Sequence, residues 1–474
     1  MMIRTDVIVV GAGLIGCFAA RQLTRYEMKV TVLEKNSDVC RGISKGNTGI
    51  IYTGYDHKPG SSKSKLCIQA NRDFDDLCRE LGVRFRRPGS LMIAYGPEAD
   101  KVIMRKYKDG IEGGIESIRI ISGEEAESME PSLKKGITSA LFSEDTGTVD
   151  PWELCIAAYE NARDNGAEFR FGEEVTGIER CGGFIVKTRN ETYHASAVIN
   201  AAGLQSDRIR EMTEEPLIEI RPTAADYIVL DKEPDGAVSH IIFHEGEDGK
   251  GLTIVPTIDG NILLGPVSRD ADEQEISAED MRVSTSGMEQ IMSLCREIAP
   301  GMDTSQRIRN FGSLRPNPYR VEVENGEKKI LSKSIKDFVA LEEDGLFSLV
   351  GIKTPGMTFA NELGRLIADK VASYLGIDSL NDSYDPHRKA IVRASELTPD
   401  ERAELAAADP DYGIIACCCM DVTRAEIRQA IDRGADSFEG IKRRTGAGMG
   451  RCQGSRCRLR ISEMLESAEC SHSD

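Results

Sequence analysis

Four cysteines near the C-terminal end of the chain have the spacing of a metal centre. Cys417 and Cys419 form a C-x-C pair, and Cys452 and Cys457 form a second pair. Four thiolates bind either a tetrahedral zinc ion or a [2Fe–2S] cluster. Six of the 13 cysteines lie in the last 58 residues. Such a local cluster, without a secretory signal, favours a metal centre over disulfides. The spacing leaves zinc and iron–sulfur equally open.

A glycine-rich turn near the start of the chain has the pattern of a dinucleotide site. Val7–Val10 is a continuous apolar run, as expected of a strand that is buried on both faces. Gly11, Gly13 and Gly16 follow it and precede a helix. They would allow a tight turn, close approach of a pyrophosphate and close packing of the helix on the strand. Glu34 ends the next predicted strand, where an acid suits a ribose 2′-hydroxyl and repels the 2′-phosphate of NADP.

Three later segments are predicted to lie near the same ligand. The loop Arg41–Gly49 is rich in small donors, so its backbone can approach a diphosphate closely. Ala197–Gly203 repeats the opening pattern of a buried strand that meets a small-residue turn. Phe347–Thr358 reads as a strand, a glycine turn and the start of a helix. The chain therefore returns to the nucleotide domain after leaving it.

Composition narrows the function classes. The chain has 474 residues, of which 40% are hydrophobic and 29% are charged, and its net charge is −18. This charge argues against nucleic acid or an anionic membrane surface as the main ligand. No apolar run approaches the length of a membrane span. We therefore expect a cytoplasmic globular protein, in which an anionic substrate needs a local basic pocket.

Hydrophobic periodicity predicts the elements that position these residues. The predicted helices are Lys63–Leu81, a helix from Pro151 to near Asn165, Met281–Ala299, Phe359–Tyr374 and Thr423–Arg433. The predicted strands include Lys29–Leu33, Arg84–Ala94, Ser139–Phe142, Tyr227–Leu230, Leu252–Val255 and Asn261–Leu264. The runs 167–171, 175–180 and 183–188 are predicted to form a meander. Lys442–Arg451 is predicted to be a loop of glycine and basic residues.

The order of these elements predicts an α/β chain. It has a Rossmann-like dinucleotide domain, an inserted β-rich α+β substrate domain and a small C-terminal cysteine module. The predicted boundaries are 1–214 for the first part of the nucleotide domain with small insertions at about 84–145, 215–330 for the substrate domain, 331–376 for the return segment, 377–412 for a linker and 413–466 for the module.

The C-terminal module resembles a known iron–sulfur family. The stretches Ile414–Thr423 and Lys442–Cys457 are similar to the bacterioferritin-associated-ferredoxin type of [2Fe–2S] domain. The resemblance covers about sixty residues. It implies that the cluster ligands are Cys417, Cys419, Cys452 and Cys457 and that Cys418 is not one. It also favours iron–sulfur over zinc.

The first 380 residues resemble the FAD-dependent D-amino-acid-oxidase superfamily. Within it they are most similar to the branch of anaerobic glycerol-3-phosphate dehydrogenases and L-2-hydroxyglutarate oxidases. The stretches that carry the resemblance are Gly46–Asp56, Pro59–Leu66, Val198–Asp207, Pro256–Pro266 and Gly351–Thr358. It implies that the nucleotide domain binds FAD and that the 351–358 turn lies over the flavin ring. The predicted cofactor-binding residues are Gly11, Gly13, Leu14, Ile15, Gly16, Glu34, Lys35, Ser44, Asn47, Thr48, Gly49, Val175, Ala202, Gly203, Gly351, Gly356, Met357 and Thr358.

Three side chains are candidates for work on the substrate. Arg315 is predicted to bind a substrate anion, because a guanidinium fork suits a carboxylate or phosphate. Lys353 is either a second anion contact or, when desolvated, the catalytic base. Tyr52 either orients the substrate or packs. Family members usually have His at the position of Tyr52 and a small or acidic residue at that of Lys353.

The resemblance implies an FAD-dependent dehydrogenase of a small anionic substrate. The first hypothesis is oxidation of glycerol 3-phosphate, with electrons passing from the flavin through the cluster to an electron-accepting oxidoreductase subunit. The second is oxidation of a 2-hydroxy acid, such as L-2-hydroxyglutarate, or of an amino or imino acid. A third, of a different class, is an electron-transfer subunit that has lost its catalytic base. Two basic side chains in the pocket would suit a phosphate, and one arginine would suit a carboxylate.

Overall fold

The apolar runs of the sequence form strands, most of them in the first of two units, Met1–Pro386 and His387–Asp474. The computed structural model describes residues 2–232, 234–244, 251–268, 281–331 and 333–471. Residues 269–280 of the predicted substrate domain therefore lie outside the described residues. The described strands of the first unit are β1 Met2–Arg4, β2 Val7–Val10, β3 Val30–Glu34, β4 Ile50–Ile51, β5 Phe85–Arg86, β6 Ser90–Ala94, β7 Ile118–Ser122, β8 Ser139–Ser143, β9 Gly147–Val149, β10 Glu168–Phe171, β11 Val175–Arg180, β12 Phe184–Thr188, β13 Thr192–Ala195, β14 Ala197–Asn200, β15 Ile218–Lys232, β16 Ile241–His244, β17 Leu252–Pro256, β18 Asn261–Ser268, β19 Arg307–Glu324, β20 Glu327–Ile330, β21 Val339–Glu343 and β22 Leu346–Val350.

Helices pack on these strands, and a smaller set builds the second unit. The described helices of the first unit are α1 Leu14–Leu23, α2 Ser62–Arg72, α3 Phe74–Leu81, α4 Pro97–Glu112, α5 Gly123–Met129, α6 Pro151–Asp164, α7 Ser206–Arg210, α8 Thr285–Ile298 and α9 Ala360–Leu375. The second unit contains the strands β23 Ile415–Cys417 and β24 Val422–Thr423 and the helices α10 Pro399–Ala408, α11 Arg424–Asp432, α12 Phe438–Thr445 and α13 Arg458–Ser471. Among the described residues, no helix is both long and apolar enough to span a membrane.

A six-stranded sheet forms the nucleotide domain, as the glycine pattern predicts. Its strand order is β10-β3-β2-β14-β22-β21, and all neighbours are parallel except β21 and β22. Strands β2, β3, β14 and β22 are buried along their whole length. Because the central strands are parallel, their carboxyl ends meet at one edge of the sheet, where ligands of such folds bind.

The predicted meander is wrong in its first strand. β10 pairs in parallel with β3 in the six-stranded sheet, while β11, β12 and β13 form the antiparallel run. Helix α6 precedes β10, and a helical crossover brings the next strand back parallel to the sheet. The strand pattern alone does not show which of two sheets a short strand joins.

A nine-stranded sheet forms the second layer of the first unit. Its order is β20-β19-β15-β18-β17-β16-β6-β8-β7. Three of its strands, β6, β7 and β8, come from the predicted insertion at about 84–145, so the sheet is larger than the predicted 215–330 segment. The long strands β15 and β19 pair from Ile218 opposite Arg320 to Leu230 opposite Arg307. This ladder fixes the position of Arg315.

Two helix predictions need correction. The predicted helix Lys63–Leu81 is two helices, α2 and α3, because Asp73 leaves the helical conformation with ψ near 0°. The predicted loop Lys442–Arg451 begins as helix α12, which ends at Gly446 with a φ of +79°. Lysine and arginine are good helix formers, and Ser437 caps the start of α12 with its side chain.

Candidate cofactor, substrate and iron–sulfur sites

A cavity of about 720 Å³ opens at the carboxyl ends of the parallel strands. Its wall includes Val10 of β2, Leu33 of β3 and Leu349 of β22, together with Ala201, which directly follows β14. Cofactor sites have volumes of about 300–1,000 Å³ and lie at such sheet edges. The cavity extends from the glycine turn after β2 to Tyr52, Arg315 and Lys353.

The glycine turn after β2 depends on close backbone packing that larger side chains would prevent. Gly11 has a φ of +101°, and a Cβ there would lie 2.8 Å from the Ala201 carbonyl oxygen. A Cβ on Gly16 would lie 1.9 Å from the Gly11 carbonyl oxygen. Gly13, which caps α1 without a side-chain hydrogen bond, lines the cavity. The first turn of α1 has no acid, so its N–H groups favour an anion such as a diphosphate.

Glu34 stands at the end of β3 in a fixed orientation. One carboxylate oxygen accepts a hydrogen bond from Ala12 N at 2.8 Å, and the other accepts one from Asn36 N at 2.9 Å. Glu34 is buried but still lines the cavity, as does Lys35. An acid held in this way beside the glycine turn is suited to accept a hydrogen bond from a ribose hydroxyl.

The loop after β3 closes over the cavity. The Ser44 hydroxyl accepts a hydrogen bond from Leu14 N at 3.2 Å. The Ser313 hydroxyl of β19 donates to the Gly46 carbonyl oxygen at 2.6 Å, which joins this loop to the nine-stranded sheet. Asn47 stabilises the following turn by accepting from Gly49 N at 2.9 Å. The donor set of this loop and of the α1 turn fits the diphosphate of FAD.

Most of the predicted cofactor residues line this one cavity. They are Gly11, Gly13, Leu14, Ile15, Glu34, Lys35, Ser44, Asn47, Thr48, Val175, Ala202, Gly203, Gly356 and Met357. The other four, Gly16, Gly49, Gly351 and Thr358, are not among the lining residues. A Cβ on Gly49 would lie 2.4 Å from the Val149 carbonyl oxygen, and one on Gly351 would lie 2.5 Å from the Pro318 ring. These two glycines allow close packing of the chain.

Arg315 and Lys353 bring two positive charges to the end of the cavity away from the glycine turn. Within the described parts of the chain, neither side chain has a carboxylate at ion-pair distance. The Lys353 Nζ donates to Asn317 Oδ1 at 3.1 Å and to the Ile335 carbonyl oxygen at 3.2 Å. Burial, together with the nearby charges of Lys63 and Arg315, lowers the pKa of Lys353 to about 8. This end of the cavity is suited to an anionic ligand.

Tyr52 is the third predicted substrate residue, and it lines the same end of the cavity. Its backbone N–H donates to the Thr358 hydroxyl at 3.0 Å, and its ring stacks on Phe243 with centroids 6.0 Å apart. Burial, with a contribution from Asp56, raises the pKa of the Tyr52 phenol well above its usual value of 10. The phenol therefore stays neutral and can donate a hydrogen bond.

Two residues near Arg315 and Tyr52 were missed by the sequence prediction. Tyr227 of β15 lines the cavity and stacks on Phe311 with centroids 4.7 Å apart. Lys63 of α2 is buried, and its Nζ donates to the Lys336 carbonyl oxygen at 3.0 Å. Burial lowers the pKa of Lys63. The signal for Lys63 was its place in the Pro59–Leu66 stretch. Nothing in the local pattern marks Tyr227, which reads as an ordinary strand residue.

The four predicted cysteine ligands lie together in the second unit. The Cys419 Sγ lies 3.8 Å from that of Cys417 and 3.5 Å from that of Cys452. The Cys457 thiol contacts that of Cys417. Cys418, between the first pair, is exposed. The geometry therefore separates Cys418 from the thiols that meet.

The surroundings of these thiols suit a cluster. A Cβ on Gly450 would lie 2.7 Å from the Cys419 Sγ, so glycine lets the chain pass directly over this sulfur. Backbone N–H groups of Gly448 and Met420 donate to Cys417, and those of Gly454 and Arg456 donate to Cys452. Such hydrogen bonds to sulfur tune iron–sulfur clusters.

Four thiolates are the ligand set of either a [2Fe–2S] cluster or one zinc ion. A tetrahedral zinc site needs four ligands around one ion, whereas each iron of a [2Fe–2S] cluster takes two thiolates.

Comparisons with known proteins agree with both sites. A family model described as "FAD dependent oxidoreductase" matches residues 6–370, and one described as "BFD-like [2Fe-2S] binding domain" matches residues 415–467. The chain is 35% identical to a glycerol 3-phosphate dehydrogenase of Caloramator mitchellensis, over 97% of this chain and 93% of that protein. It is 26% identical to anaerobic glycerol-3-phosphate dehydrogenase subunit A1 of Haloferax volcanii, over 97% of this chain and 82% of that protein.

A solved structure shows the same fold in the first unit. It is the dithionite-reduced L-alpha-glycerophosphate oxidase of Mycoplasma pneumoniae with FAD bound. The TM-score is 0.73 at 24% identity, and the match covers 82% of this chain and 99% of that one. The predicted α/β architecture with a Rossmann-like FAD-binding domain is thus confirmed.

Proposed function

The chain belongs to the FAD-dependent oxidoreductase family and carries a BFD-like [2Fe–2S] domain, and from this premise we propose that it oxidises glycerol 3-phosphate to dihydroxyacetone phosphate. The cofactors are FAD and a [2Fe–2S] cluster. The relatives named above as glycerol-3-phosphate dehydrogenases support the proposal.

The observation that carries the proposal is the pair of cations at the substrate end of the cavity. Arg315 and Lys353 reach the same cavity, and neither has a carboxylate partner among the described residues. A phosphate monoester carries between one and two negative charges at neutral pH. An arginine fork with a second ammonium beside it matches that charge and geometry. Arg315 would bind the phosphate, and Lys353 would be its second contact.

The remaining side chains would set the orientation of the substrate. FAD supplies the hydride acceptor for the substrate carbon when it is bound. The neutral phenol of Tyr52 can donate a hydrogen bond to a substrate oxygen, and the backbone of Tyr52 is held by Thr358. The walls of the cavity would exclude water from the reacting carbon. Lys353 is also the candidate base, and its lowered pKa suits either role.

The finer part of the proposal concerns the electrons. We propose that they leave through the [2Fe–2S] cluster of the second unit to a separate electron-accepting protein. The four converging thiols support this exit route. A cluster that they hold would pass one electron at a time to a partner and would need no substrate pocket of its own. A relative named as a subunit of an anaerobic dehydrogenase also supports a partner protein.

An anaerobic absorbance titration tests the proposed substrate. We expect glycerol 3-phosphate to bleach the flavin of the purified protein and then to lower the cluster absorbance. In Arg315→Ala, we expect the apparent affinity to fall about 10- to 100-fold, because a charge-assisted hydrogen bond contributes about 1.5–3 kcal/mol. Arg307→Ala is the matched control, since Arg307 is an exposed arginine on the same strand. Unchanged affinity in Arg315→Ala would show that the phosphate binds elsewhere.

A dicarboxylate is the second candidate substrate, because the same two cations would also hold two carboxylates. Bleaching by 2-hydroxyglutarate but not by glycerol 3-phosphate would select this 2-hydroxy acid reaction. Bleaching by an amino acid alone would select C–N oxidation. No bleaching by any of them, with FAD and cluster present, would indicate a non-catalytic electron-transfer subunit.

A further inference from the structure

One segment of the second unit has a charge opposite to that of the whole molecule. From Gly440 to Ser462 the chain has seven Lys and Arg residues and no Asp or Glu, although its net charge is −18. Four of the seven are exposed, and we refer to them as the arginine edge. They are Arg451, Arg456, Arg458 and Arg460.

The arginine edge is poorly neutralised by the protein itself. Within the described residues, the guanidinium groups of Arg451 and Arg456 have no hydrogen-bond or ion-pair partner. Arg458 lies over the Phe438 ring at 4.8 Å, and Arg460 donates to the Ile415 carbonyl oxygen at 2.7 Å. None of the four is paired with a carboxylate of the described part of the chain, so the segment presents net positive charge to solvent.

Three other arginines of the same unit, of which Arg424 and Arg428 are exposed and Arg402 is half-buried, are neutralised. Arg428 forms ion pairs with Asp409, at 2.5 Å, and with Asp411. Arg424 lies 3.4 Å from Asp411, and Arg402 lies 2.7 Å from Asp421. The second unit thus has carboxylates that pair with arginines outside the segment, whereas the four arginines of the arginine edge have no such partner among the described residues.

Two of these arginines, Arg451 and Arg456, are next to Cys452, one of the two more exposed cysteines of the site. Cys417 and Cys457 are buried, whereas Cys419 and Cys452 are only partly buried. Arg451 directly precedes Cys452, and the Arg456 backbone N–H donates to the Cys452 thiol. An electron leaves a cluster most readily at its least covered edge, and here that edge is bordered by cations.

The segment also has one exposed apolar side chain, since Leu459, between Arg458 and Arg460 in the sequence, is 75% exposed. The attraction that this segment offers a partner is therefore mainly electrostatic.

We propose that the arginine edge docks an acidic one-electron carrier protein. The proposal rests on the proposed function in taking the cluster as the exit for electrons. In the step, one electron passes from the reduced cluster to the oxidised carrier, and no bond is made or broken. The net charge of the molecule repels an acidic carrier, so a local positive surface is what would admit and orient it.

The sign of the salt dependence tests this proposal. The full-length holoprotein, reduced anaerobically with dithionite and freed of excess reductant, is mixed in a stopped-flow instrument with oxidised plastocyanin, an acidic copper protein. We expect the second-order rate constant to fall about tenfold as the ionic strength rises from about 10 mM to about 300 mM. A rate constant that rises with salt would mean that the net charge dominates, and it would overturn the proposal.

Three double variants localise the effect. Arg451→Gln with Arg456→Gln should lower the low-salt rate constant about tenfold and remove most of its salt dependence. Arg451→Lys with Arg456→Lys keeps the charge and should keep both. Arg424→Gln with Arg428→Gln removes the same charge from paired, exposed positions of the same unit and should change the rate constant less than twofold.

Cluster absorbance and flavin bleaching distinguish loss of the cluster, failure of the docking proposal and failure of the proposed function. Cluster absorbance before mixing shows whether a variant still holds its cluster. An intact cluster with an unchanged rate constant in the glutamine pair would overturn the proposal. Because dithionite supplies the electrons, the result does not depend on the substrate. Failure of glycerol 3-phosphate to bleach the flavin would contradict the proposed function alone.

Discussion

Lys353 owes its lowered pKa to burial and to the absence of a carboxylate partner among the described residues. Burial disfavours the ammonium, and the charges of Lys63 and Arg315 add to the effect, so the pKa falls to about 8. A lysine that binds a phosphate must be protonated, and this one loses its proton as the pH rises through about 8. The phosphate itself keeps a constant charge above about pH 7. The lysine therefore sets the upper pH limit of binding.

We predict that kcat/KM for glycerol 3-phosphate falls at high pH. Well above pH 8 the decrease should approach tenfold per pH unit, because one proton is lost from free Lys353. Steady-state kinetics from pH 6.5 to 10 measure it. Lys353→Arg is the control, since arginine stays protonated and should remove the decrease. The opposite profile, with kcat/KM rising through pH 8 and Lys353→Arg inactive throughout, would identify Lys353 as the base.

The sequence predicts which residues lie together where one local pattern contains them all. The glycines after β2 and the four cysteines have such patterns, and the structure brings each set together. Lys63 does not, because its burial depends on the segment that contains Lys336, which is 273 residues away. A sequence shows that a lysine is present, but only the fold shows that its ammonium is desolvated.

At the scale of elements, the turn between β2 and α1 is a tightly constrained part of the cavity wall. Gly11→Ala would force a Cβ onto a residue with a φ of +101° and place it 2.8 Å from the Ala201 carbonyl oxygen. We expect about 1–3 kcal/mol of strain and a large loss of bound FAD. The FAD-to-protein ratio after desalting and the Tm of the holoprotein measure both effects.

Gly177→Ala is the control for that prediction. Gly177 lies in β11, and a Cβ there would meet nothing within 4 Å. We expect normal FAD content and a Tm within a few degrees of the wild type. If Gly11→Ala kept its FAD as well as this control, the turn after β2 would not be the diphosphate site.

Hydrophobic periodicity predicts whether a segment is a helix or a strand. It does not predict where a helix ends or which strands pair. The helical pattern of Lys63–Leu81 is continuous, yet Asp73 divides it into α2 and α3. The run 167–171 is a strand as predicted, but it joins the parallel sheet beside β3. Local spacing determines which face of an element is apolar. Pairing between distant strands depends on how the helices pack between them.

At the scale of the molecule, the sequence predicts that the insertion at about 84–145 and the substrate domain at 215–330 are separate, whereas the structure joins them. The strands of residues 84–145 and those of residues 215–330 form one nine-stranded sheet. The connection between them is the parallel pairing of β6 with β16, from Ser90 opposite Ile241 to Ile93 opposite His244. No pattern in either stretch encodes that pairing, so a boundary drawn from composition divides a continuous layer.

Residues 377–386, which the sequence assigns to a linker, are hydrogen-bonded to the first unit. The Asn381 side chain donates to the Thr24 carbonyl oxygen at 3.0 Å. The Asp385 carbonyl oxygen accepts from Asn161 at 3.0 Å, and that of Pro386 accepts from Arg21 at 3.2 Å. These bonds satisfy buried polar groups of α1 and α6, which pack behind the glycine turn. The first unit therefore ends after Pro386 and not at residue 376.

Two truncated chains test this end point. A chain of residues 1–386 should bind FAD and be bleached by glycerol 3-phosphate at the rate of the full protein, while it lacks cluster absorbance. A chain of residues 1–376 leaves Arg21 and Asn161 with unmet hydrogen bonds, each costing about 1–3 kcal/mol. We expect its Tm and FAD content to be clearly lower. Equal stability of the two chains would show that residues 377–386 only connect the units. Loss of FAD from both would show that the first unit needs the second to fold.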